Sequence, residues 1–147
     1  MSAEHTSFMR RAIELARAQH GRTGANPAVG CVLVSAAGKR LSEGATGDGG
    51  RPHAEQLALT AIEGKLPPGT TAYVTLEPCL ERSTGEAACS SRLIDAGISK
   101  VFIAVMDRHP KGAGGKAAIE AAGIEVETGF LEEDAAGLYE DFFASLG

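Results

Sequence analysis

The pattern of apolar and polar residues divides the first half of the chain into helices and a hairpin. Apolar side chains recur at helical spacing over about residues 7–19 and predict an amphipathic helix that Gly21 closes. A short apolar, β-branched run predicts a strand over residues 28–35, and the turn signal and polar segment that follow it, to about Ala45, indicate a hairpin. A Gly-rich loop then leads into a second predicted helix over residues 53–64.

The second half alternates between strand and helix. The pattern predicts strands over residues 71–77, 100–106 and 124–129, and helices over residues 88–97, 116–123 and 131–147. The last of these helices places four apolar residues on one face, which we expect to pack on the core: Leu131, Leu138, Phe142 and Leu146. Strand–helix–strand units place their strands parallel with right-handed crossovers. We therefore expect an α/β fold, a three-layer α/β/α sandwich with a five-stranded mixed sheet made of the hairpin and three parallel strands.

Length and composition limit which kinds of protein this chain can be. The chain has 147 residues, of which 44% are apolar and 22% charged, as is typical of one globular domain. It has no apolar run of the roughly 18 residues that a membrane span needs, and its N-terminal stretch lacks the apolar centre of a secretory signal. We therefore expect a soluble, cytoplasmic protein that does not bind membranes. The net charge of −5 disfavours a nucleic-acid partner and favours a small-molecule substrate.

Three residues with metal-binding side chains stand at corresponding ends of predicted elements. His53 opens a helix, Cys79 follows a strand and Cys89 opens the next helix, and such ends gather at one edge of an open parallel sheet. Two thiolates and one imidazole leave a tetrahedral Zn²⁺ with a free position, which is the pattern of catalytic sites. The long gap between the cysteines adds only about 1 kcal/mol of loop entropy, whereas a structural zinc contributes on the order of 10 kcal/mol. We predict that His53, Cys79 and Cys89 bind Zn²⁺.

Glu55 is the predicted catalytic residue. Residues two apart on a helix do not share a face, so His53 and Glu55 are poorly placed to chelate one ion along the helix side, although both can reach a site off the helix end. There the Glu55 carboxylate can take a proton from a water whose pKa zinc lowers to about 7. His-x-Glu followed by Pro-Cys and a further Cys is the signature of zinc-dependent nucleobase deaminases. The motif predicts hydrolytic attack on an amino-bearing ring carbon and release of ammonia.

Beyond this motif, the chain resembles the deaminase domain of the riboflavin-biosynthesis enzyme that acts on diaminohydroxyphosphoribosylaminopyrimidine, within the cytidine/deoxycytidylate deaminase superfamily. The similarity runs from about Phe8 to Phe130 through GRTGANPAVGCVLV, GRPHAEQLAL, GTTAYVTLEPC, LIDAGISKVFIAVMD and AAGIEVETG. The resemblance implies a cytidine deaminase-like fold and a homo-oligomer, a dimer or tetramer. It also implies that Asn26 binds the substrate's ring and that Asp107 helps to hold the ribose-phosphate side.

Three departures from the family concern its second domain and its substrate contacts. The family usually carries a reductase domain after the deaminase, whereas we expect residues 1–147 to form a single deaminase domain, with any reduction done elsewhere. Between the cysteines this chain has nine residues, LERSTGEAA, where the family usually has eight, and Arg82 is a candidate replacement for the family's basic residue. In DRHP, His109 stands where the family has Asn. These last two changes fall on substrate recognition.

Several alternatives remain open at this point. The same chemistry could act on another small base, nucleoside or pterin-like ring, or the chain could be a catalytically silent zinc-containing binding subunit, against which the retained Glu55 argues. The metal motif also has non-catalytic interpretations, namely a structural zinc site, or a buried imidazole with two thiols that only pack in the core. Cys31 lies within an apolar strand and is expected in the core. His5 and His20 are expected to be solvated.

Overall fold

The computed structural model describes residues 2–24, 27–62, 66–78, 89–106, 114–140 and 144. Helices and strands alternate along the second half of the chain, as the sequence predicts. The helices are α1 (Ser2–Gln19), α2 (Ala54–Thr60), α3 (Cys89–Ala96), α4 (Gly115–Ala121) and α5 (Glu132–Ala136). The strands are β1 (Gly30–Val34), β2 (Arg40–Ala45), β3 (Thr71–Leu76), β4 (Lys100–Val105) and β5 (Glu125–Thr128).

Within the described residues, the strands form one five-stranded mixed sheet in the order β2-β1-β3-β4-β5. Strand β1 is antiparallel to both of its neighbours, β2 and β3, whereas β3, β4 and β5 are parallel. The predicted combination of a hairpin and three parallel strands is therefore confirmed. The helices cover both faces of this sheet, which makes the predicted three-layer α/β/α sandwich.

Alternate residues of the strands enter two separate hydrophobic clusters, one on each face of the sheet. Val32 and its partner Tyr73 face the cluster under α1 and α5, whereas Cys31 and its partner Val74 face the cluster under α2, α3 and α4. Cys31 is 0% exposed, so its predicted place in the core is confirmed. Because side chains alternate along a strand, a slip of one residue would exchange the two clusters, and the register is therefore strongly specified.

Two glycines of the hairpin let helices approach the sheet closely. A Cβ atom at Gly30 would lie 1.9 Å from the carbonyl oxygen of Ala12 in α1. A Cβ atom at Gly44 would lie 2.5 Å from the carbonyl oxygen of Ala54 in α2. No side chain fits at these distances, so both positions require glycine for the helices to keep their places. The second contact determines where α2 begins relative to β2.

The first helix begins earlier than the sequence predicts, and His5 is not solvated as expected. Helix α1 starts at Ser2, and the half-buried ring of His5 hydrogen-bonds the Tyr73 hydroxyl. Its centroid lies 4.6 Å from that of Phe102. Residues three and four apart share a helix face, so His5 extends the apolar face of Phe8 and Met9 by one turn. His20 is exposed, as predicted.

The last helix is shorter than the predicted span of residues 131–147. Leu131 has a positive φ of 57° and precedes α5, which ends at Ala136. Leu138 and Tyr139 follow in a turn and are buried in the cluster under α1 and α5, so this face packs on the core as expected. Phe142 and Leu146 lie outside the described residues. No described helix is both long and apolar enough to cross a membrane.

Candidate metal and catalytic site

Four strands have ends at one edge of the sheet. Gly30, the first residue of β1, pairs with Ala45 at the end of β2, and Leu76 at the end of β3 pairs with Val105 at the end of β4. Because β1 is antiparallel to β3, the start of β1 and the end of β3 lie side by side. The chain leaves this edge from β2 toward α2 and from β3 toward α3. Ligands of open α/β sheets bind at such an edge.

His53 is the residue immediately before α2 and is half-buried. Its backbone is extended, with φ −73° and ψ 155°, so it stands at the helix end rather than along the helix side. The preceding loop folds on itself, because the Gly47 amide donates to the Pro52 carbonyl oxygen at 2.9 Å and the Gly50 amide to the Gly47 carbonyl oxygen at 2.9 Å. These two hydrogen bonds fix the conformation of the loop that immediately precedes His53.

The same loop is also held by the C-terminal end of α1. The Gln19 side-chain amide donates to the Thr46 carbonyl oxygen at 2.9 Å and to the Asp48 carboxylate at 3.0 Å. Arg22 donates to the Asp48 carboxylate at 3.0 Å. The hydrogen bond from Gln19, followed by the charge of Arg22, holds the pKa of Asp48 below its usual range. These contacts fix the start of the loop that leads to His53.

Glu55 lies in the first turn of α2 and is only 3% exposed. It is close enough to β1 to act on the thiol of Cys31. Burial raises the pKa of Cys31 well above its usual range, and the charge of Glu55 raises it further. Glutamate is rarely buried without a paired or functional role. The structure therefore places the predicted proton carrier inside the protein, two residues after the predicted imidazole ligand.

Glu77 is a buried residue of this region that the sequence analysis missed. It is 4% exposed and directly precedes Pro78, which is also buried. Its amide donates to the Val105 carbonyl oxygen at 2.9 Å, and its carboxylate accepts the backbone amides of Lys116 at 2.9 Å and Gly114 at 3.3 Å. The sequence carries one signal that could have identified Glu77. It is an acidic residue that directly follows an apolar strand and precedes Pro-Cys. Glu77 thus fixes the chain just after β3, two residues before Cys79 in the sequence.

The described residues bring together only part of the predicted site. His53 and Glu55 stand at the start of α2, and Cys89 is the first residue of α3, although its side chain lies outside the described part. Five further candidates lie wholly outside it, namely Cys79, Asn26, Arg82, Asp107 and His109. Within the described part, no three His, Cys, Asp or Glu side chains form a group that could hold a metal.

The donor set that the sequence predicts suits a zinc site. His53 immediately precedes α2, Glu55 is buried in the first turn of that helix, and buried Pro78, which Cys79 follows in the sequence, lies just beyond the end of β3. The second predicted thiol belongs to the residue at which α3 begins. One imidazole and two thiols, as the sequence predicts them, would form a donor set that suits Zn²⁺ and leaves one position open.

Comparisons with known proteins agree with this chemistry. The family model described as the cytidine and deoxycytidylate deaminase zinc-binding region matches residues 2–105. Riboflavin biosynthesis protein RibD of Aquifex aeolicus is 41% identical over 138 residues, which are 93% of this chain and 38% of that protein. RibD of Actinobacillus pleuropneumoniae is 44% identical over 137 residues, which are 92% of this chain and 36% of that protein.

A solved structure of a similar protein has the same fold as this chain. The diaminohydroxyphosphoribosylaminopyrimidine deaminase/5-amino-6-(5-phosphoribosylamino)uracil reductase of Thermotoga maritima is 37% identical and matches with a TM-score of 0.91. The match covers 99% of this chain and 42% of that one. The chain thus spans between 36% and 42% of the length of these three similar proteins.

Proposed function

The chain belongs to the zinc-binding family of cytidine and deoxycytidylate deaminases, and on this premise we propose that it deaminates an aminopyrimidine by hydrolysis. The predicted family and the predicted zinc cofactor are confirmed by the family match. The substrate that we propose is the riboflavin-pathway intermediate diaminohydroxyphosphoribosylaminopyrimidine. The names of the similar RibD proteins and of the Thermotoga maritima enzyme support this choice.

The observation that carries the proposal is the pairing of His53 and Glu55 at the start of α2. A half-buried imidazole off the helix end, followed by a carboxylate that is 3% exposed, is an arrangement that a structural zinc does not need. We propose that His53, Cys79 and Cys89 hold the metal. When bound, zinc supplies a Lewis acid that makes a water molecule acidic near neutral pH.

Glu55 performs the proton transfers in the proposed reaction. Its carboxylate takes one proton from the water as the water oxygen bonds to the amino-bearing ring carbon, and it gives that proton to the ring nitrogen as the carbon–nitrogen double bond of the ring opens. It then carries the second proton of the water to the amino nitrogen. The bond from the ring carbon to this nitrogen breaks, a carbonyl forms and ammonia leaves, so that one water is consumed for each ammonia released. The burial of Glu55 keeps its carboxylate in place and away from bulk water.

Substrate contacts are proposed from the resemblance. We assign Asn26 to the ring and Asp107 to the ribose-phosphate side, with Arg82 and His109 lining the pocket. We also propose that residues 1–147 act as one deaminase domain in a cytoplasmic homo-oligomer. The partner of this domain is a small molecule, for which the net charge of −5 is the supporting observation.

Zinc analysis and an ammonia assay test the proposed reaction. Purified protein should contain about one zinc per chain, as a three-ligand catalytic site requires. It should release ammonia from the riboflavin intermediate in step with the loss of substrate. Full zinc occupancy without turnover of this compound would exclude it as the substrate.

A second candidate keeps the chemistry and changes the substrate. The observation that favours it is the pair of departures from the family, LERSTGEAA and DRHP, which both fall on predicted substrate contacts. A screen of free bases, nucleosides and pterin-like rings for ammonia release separates the two candidates. Turnover of one of these compounds, but not of the riboflavin intermediate, would favour the second candidate, whereas zinc-loaded protein inactive on all of them would indicate a silent binding subunit.

A further inference from the structure

A buried tyrosine joins the C-terminal part of the chain to the start of β1. The Tyr139 hydroxyl lies 2.8 Å from the Ala28 carbonyl oxygen and 2.6 Å from Oγ1 of Thr75. Tyr139 and Thr75 are both 0% exposed. Burying a hydroxyl is costly unless it is hydrogen-bonded, and phenylalanine would fill the same volume. The hydroxyl therefore needs an explanation beyond packing.

The directions of these hydrogen bonds follow from the number of protons. A phenol has one proton, and a carbonyl oxygen can only accept, so Tyr139 donates to Ala28. The hydroxyl of Thr75 must then donate to Tyr139, and its oxygen is left to accept the Gly30 amide at 3.0 Å. Two side chains thus hold two backbone groups of residues 28–30 in one chain of hydrogen bonds.

Thr46 holds the same segment from the other side. Its hydroxyl accepts the Val29 amide at 2.9 Å, and its own amide donates to the Val29 carbonyl oxygen at 3.0 Å. Thr46 begins the loop that leads to His53, whereas Thr75 lies four residues before Cys79. Residues 28–30 are therefore tied to both chain segments that lead to the predicted metal ligands.

We propose that Tyr139 is a positioning residue for substrate binding, which acts through the segment that carries Asn26. This inference rests on the proposed function, because it takes Asn26 as the contact to the substrate's ring. Asn26 stands two residues before Ala28 in the sequence, so the chain leads to it directly from the anchored residues 28–30. His53 and Glu55 are also held by α2 and by hydrogen bonds of their loop that do not involve Tyr139, so loss of the Tyr139 hydroxyl should affect substrate binding more than the chemical step.

The test compares two tyrosines that lose only their hydroxyl groups. Tyr139→Phe should raise KM about tenfold or more and leave kcat within about twofold. Tyr73→Phe is the matched control, because Tyr73 is 2% exposed on the same face of the sheet and its hydroxyl bonds His5 in α1 rather than residues 28–30. It should leave both constants unchanged. Equal KM values in the two variants would overturn the proposal.

A double variant separates positioning from a general loss of stability. If Tyr139 acts through Asn26, the KM of Asn26→Ala/Tyr139→Phe should equal that of Asn26→Ala alone. Once the Asn26 side chain is removed, loss of the Tyr139 hydroxyl has no substrate contact left to displace. Additive effects of the two substitutions would contradict the proposed route.

Amide hydrogen exchange tests whether Tyr139 anchors residues 28–30, and it requires no catalytic activity. The Val29 and Gly30 amides should exchange faster in Tyr139→Phe than in Tyr73→Phe, since only the former loses an anchor of this segment. Unchanged exchange at both amides would overturn the inference even if the wild-type protein is active. Wild-type protein that deaminates none of the screened compounds would instead refute the proposed function, and the exchange rates would still decide whether Tyr139 holds the segment.

Discussion

The carboxylate of Glu77 accepts the backbone amide of Lys116 at 2.9 Å, and it thereby joins the end of β3 to the first turn of α4. The amide of Gly114 donates to the same oxygen at 3.3 Å. The first amides of a helix have no partner within the helix, and a negative charge is favourable at that end. A buried acid thus stabilises the start of α4 and the chain before Cys79 at once.

Replacing Glu77 should therefore destabilise the fold. We expect Glu77→Ala to lower the free energy of unfolding by about 1–3 kcal/mol, because it leaves buried amides without an acceptor. Glu77→Gln keeps an acceptor oxygen and should cost less. Glu120→Gln is the control, since Glu120 makes only a surface pair with Lys116 on the same helix, worth less than about 0.5 kcal/mol. Urea unfolding gives these values, and equal losses for Glu77→Ala and Glu120→Gln would contradict the role of Glu77.

Glu77 and His5 show what local sequence patterns leave out. The partners of Glu77 come from α4, and the ring of His5 packs against residues of β3 and β4. Such contacts join residues that are far apart in sequence, whereas periodicity reports only which face of one element is apolar. His5 was therefore expected in solvent, and the buried role of Glu77 was missed.

The patterns that were predicted correctly are local or follow from chain connectivity. Alternation of strands and helices determines that β3, β4 and β5 are parallel, and the short hairpin makes β1 and β2 antiparallel. The order of the metal motif predicts an imidazole and a carboxylate at one helix start, and His53 and Glu55 stand there. The predicted substrate contacts lie between the predicted elements, where one sequence carries no comparable signal, so they remain predictions.

Gly44→Ala should disturb the start of α2. Its added Cβ atom would lie 2.5 Å from the Ala54 carbonyl oxygen, so α2 must move away from β2. We expect a loss of about 1–3 kcal/mol in the free energy of unfolding, together with weaker zinc binding, because His53 moves with the helix. Gly137→Ala is the control, since Gly137 has φ −60° and ψ −25° and an added Cβ atom meets no atom of the described residues within 4 Å. It should be neutral or stabilising by up to about 1 kcal/mol. Full zinc affinity in Gly44→Ala would show that this contact does not position His53.

His5 should make the stability of the fold depend on pH. Burial chiefly lowers the pKa of His5 below its ordinary value of 6.5, and nearby positive charges, Lys100 among them, lower it further. The unfolded chain therefore binds this proton more readily, so the contribution of His5 to the free energy of unfolding is greatest above pH 6.5 and is lost as the pH drops below that value. Burial raises the pKa of Tyr73 to about 12, so His5 is the titrating member of this hydrogen-bonded pair.

Urea unfolding at about pH 7.5 and about pH 5.5 measures this contribution. The wild-type protein should lose more stability between the two values than His5→Gln does. His20→Gln should keep the wild-type difference, because His20 is exposed. The same difference in all three proteins would mean that His5 does not contribute to the pH dependence.

Glu55→Gln should separate metal binding from chemistry. Glutamine keeps the size of the side chain but cannot carry the proton, so we expect unchanged zinc content and a turnover lower by about 10²-fold or more. Zinc analysis and ammonia release on the same preparation measure both quantities. Cys89→Ala is the comparison, because loss of a proposed ligand should lower zinc content and stability together. Full activity of Glu55→Gln would refute its role as the proton carrier.

Removal of zinc should divide the three cysteines of the chain into two classes. Cys31 is 0% exposed, and burial keeps its pKa well above the usual range, so it should resist a thiol reagent until the chain unfolds. Cys79 and Cys89, as the proposed ligands, should be protected by zinc and react once a chelator removes it. Titration of the folded protein should therefore count no reactive thiol with zinc, two after chelation and the third only in denaturant.

Circular dichroism after chelation checks that the fold persists, and Cys31→Ala should lose only the last thiol. A single reactive thiol in the chelated protein, with the fold intact, would show that one of the two cysteines is not a zinc ligand.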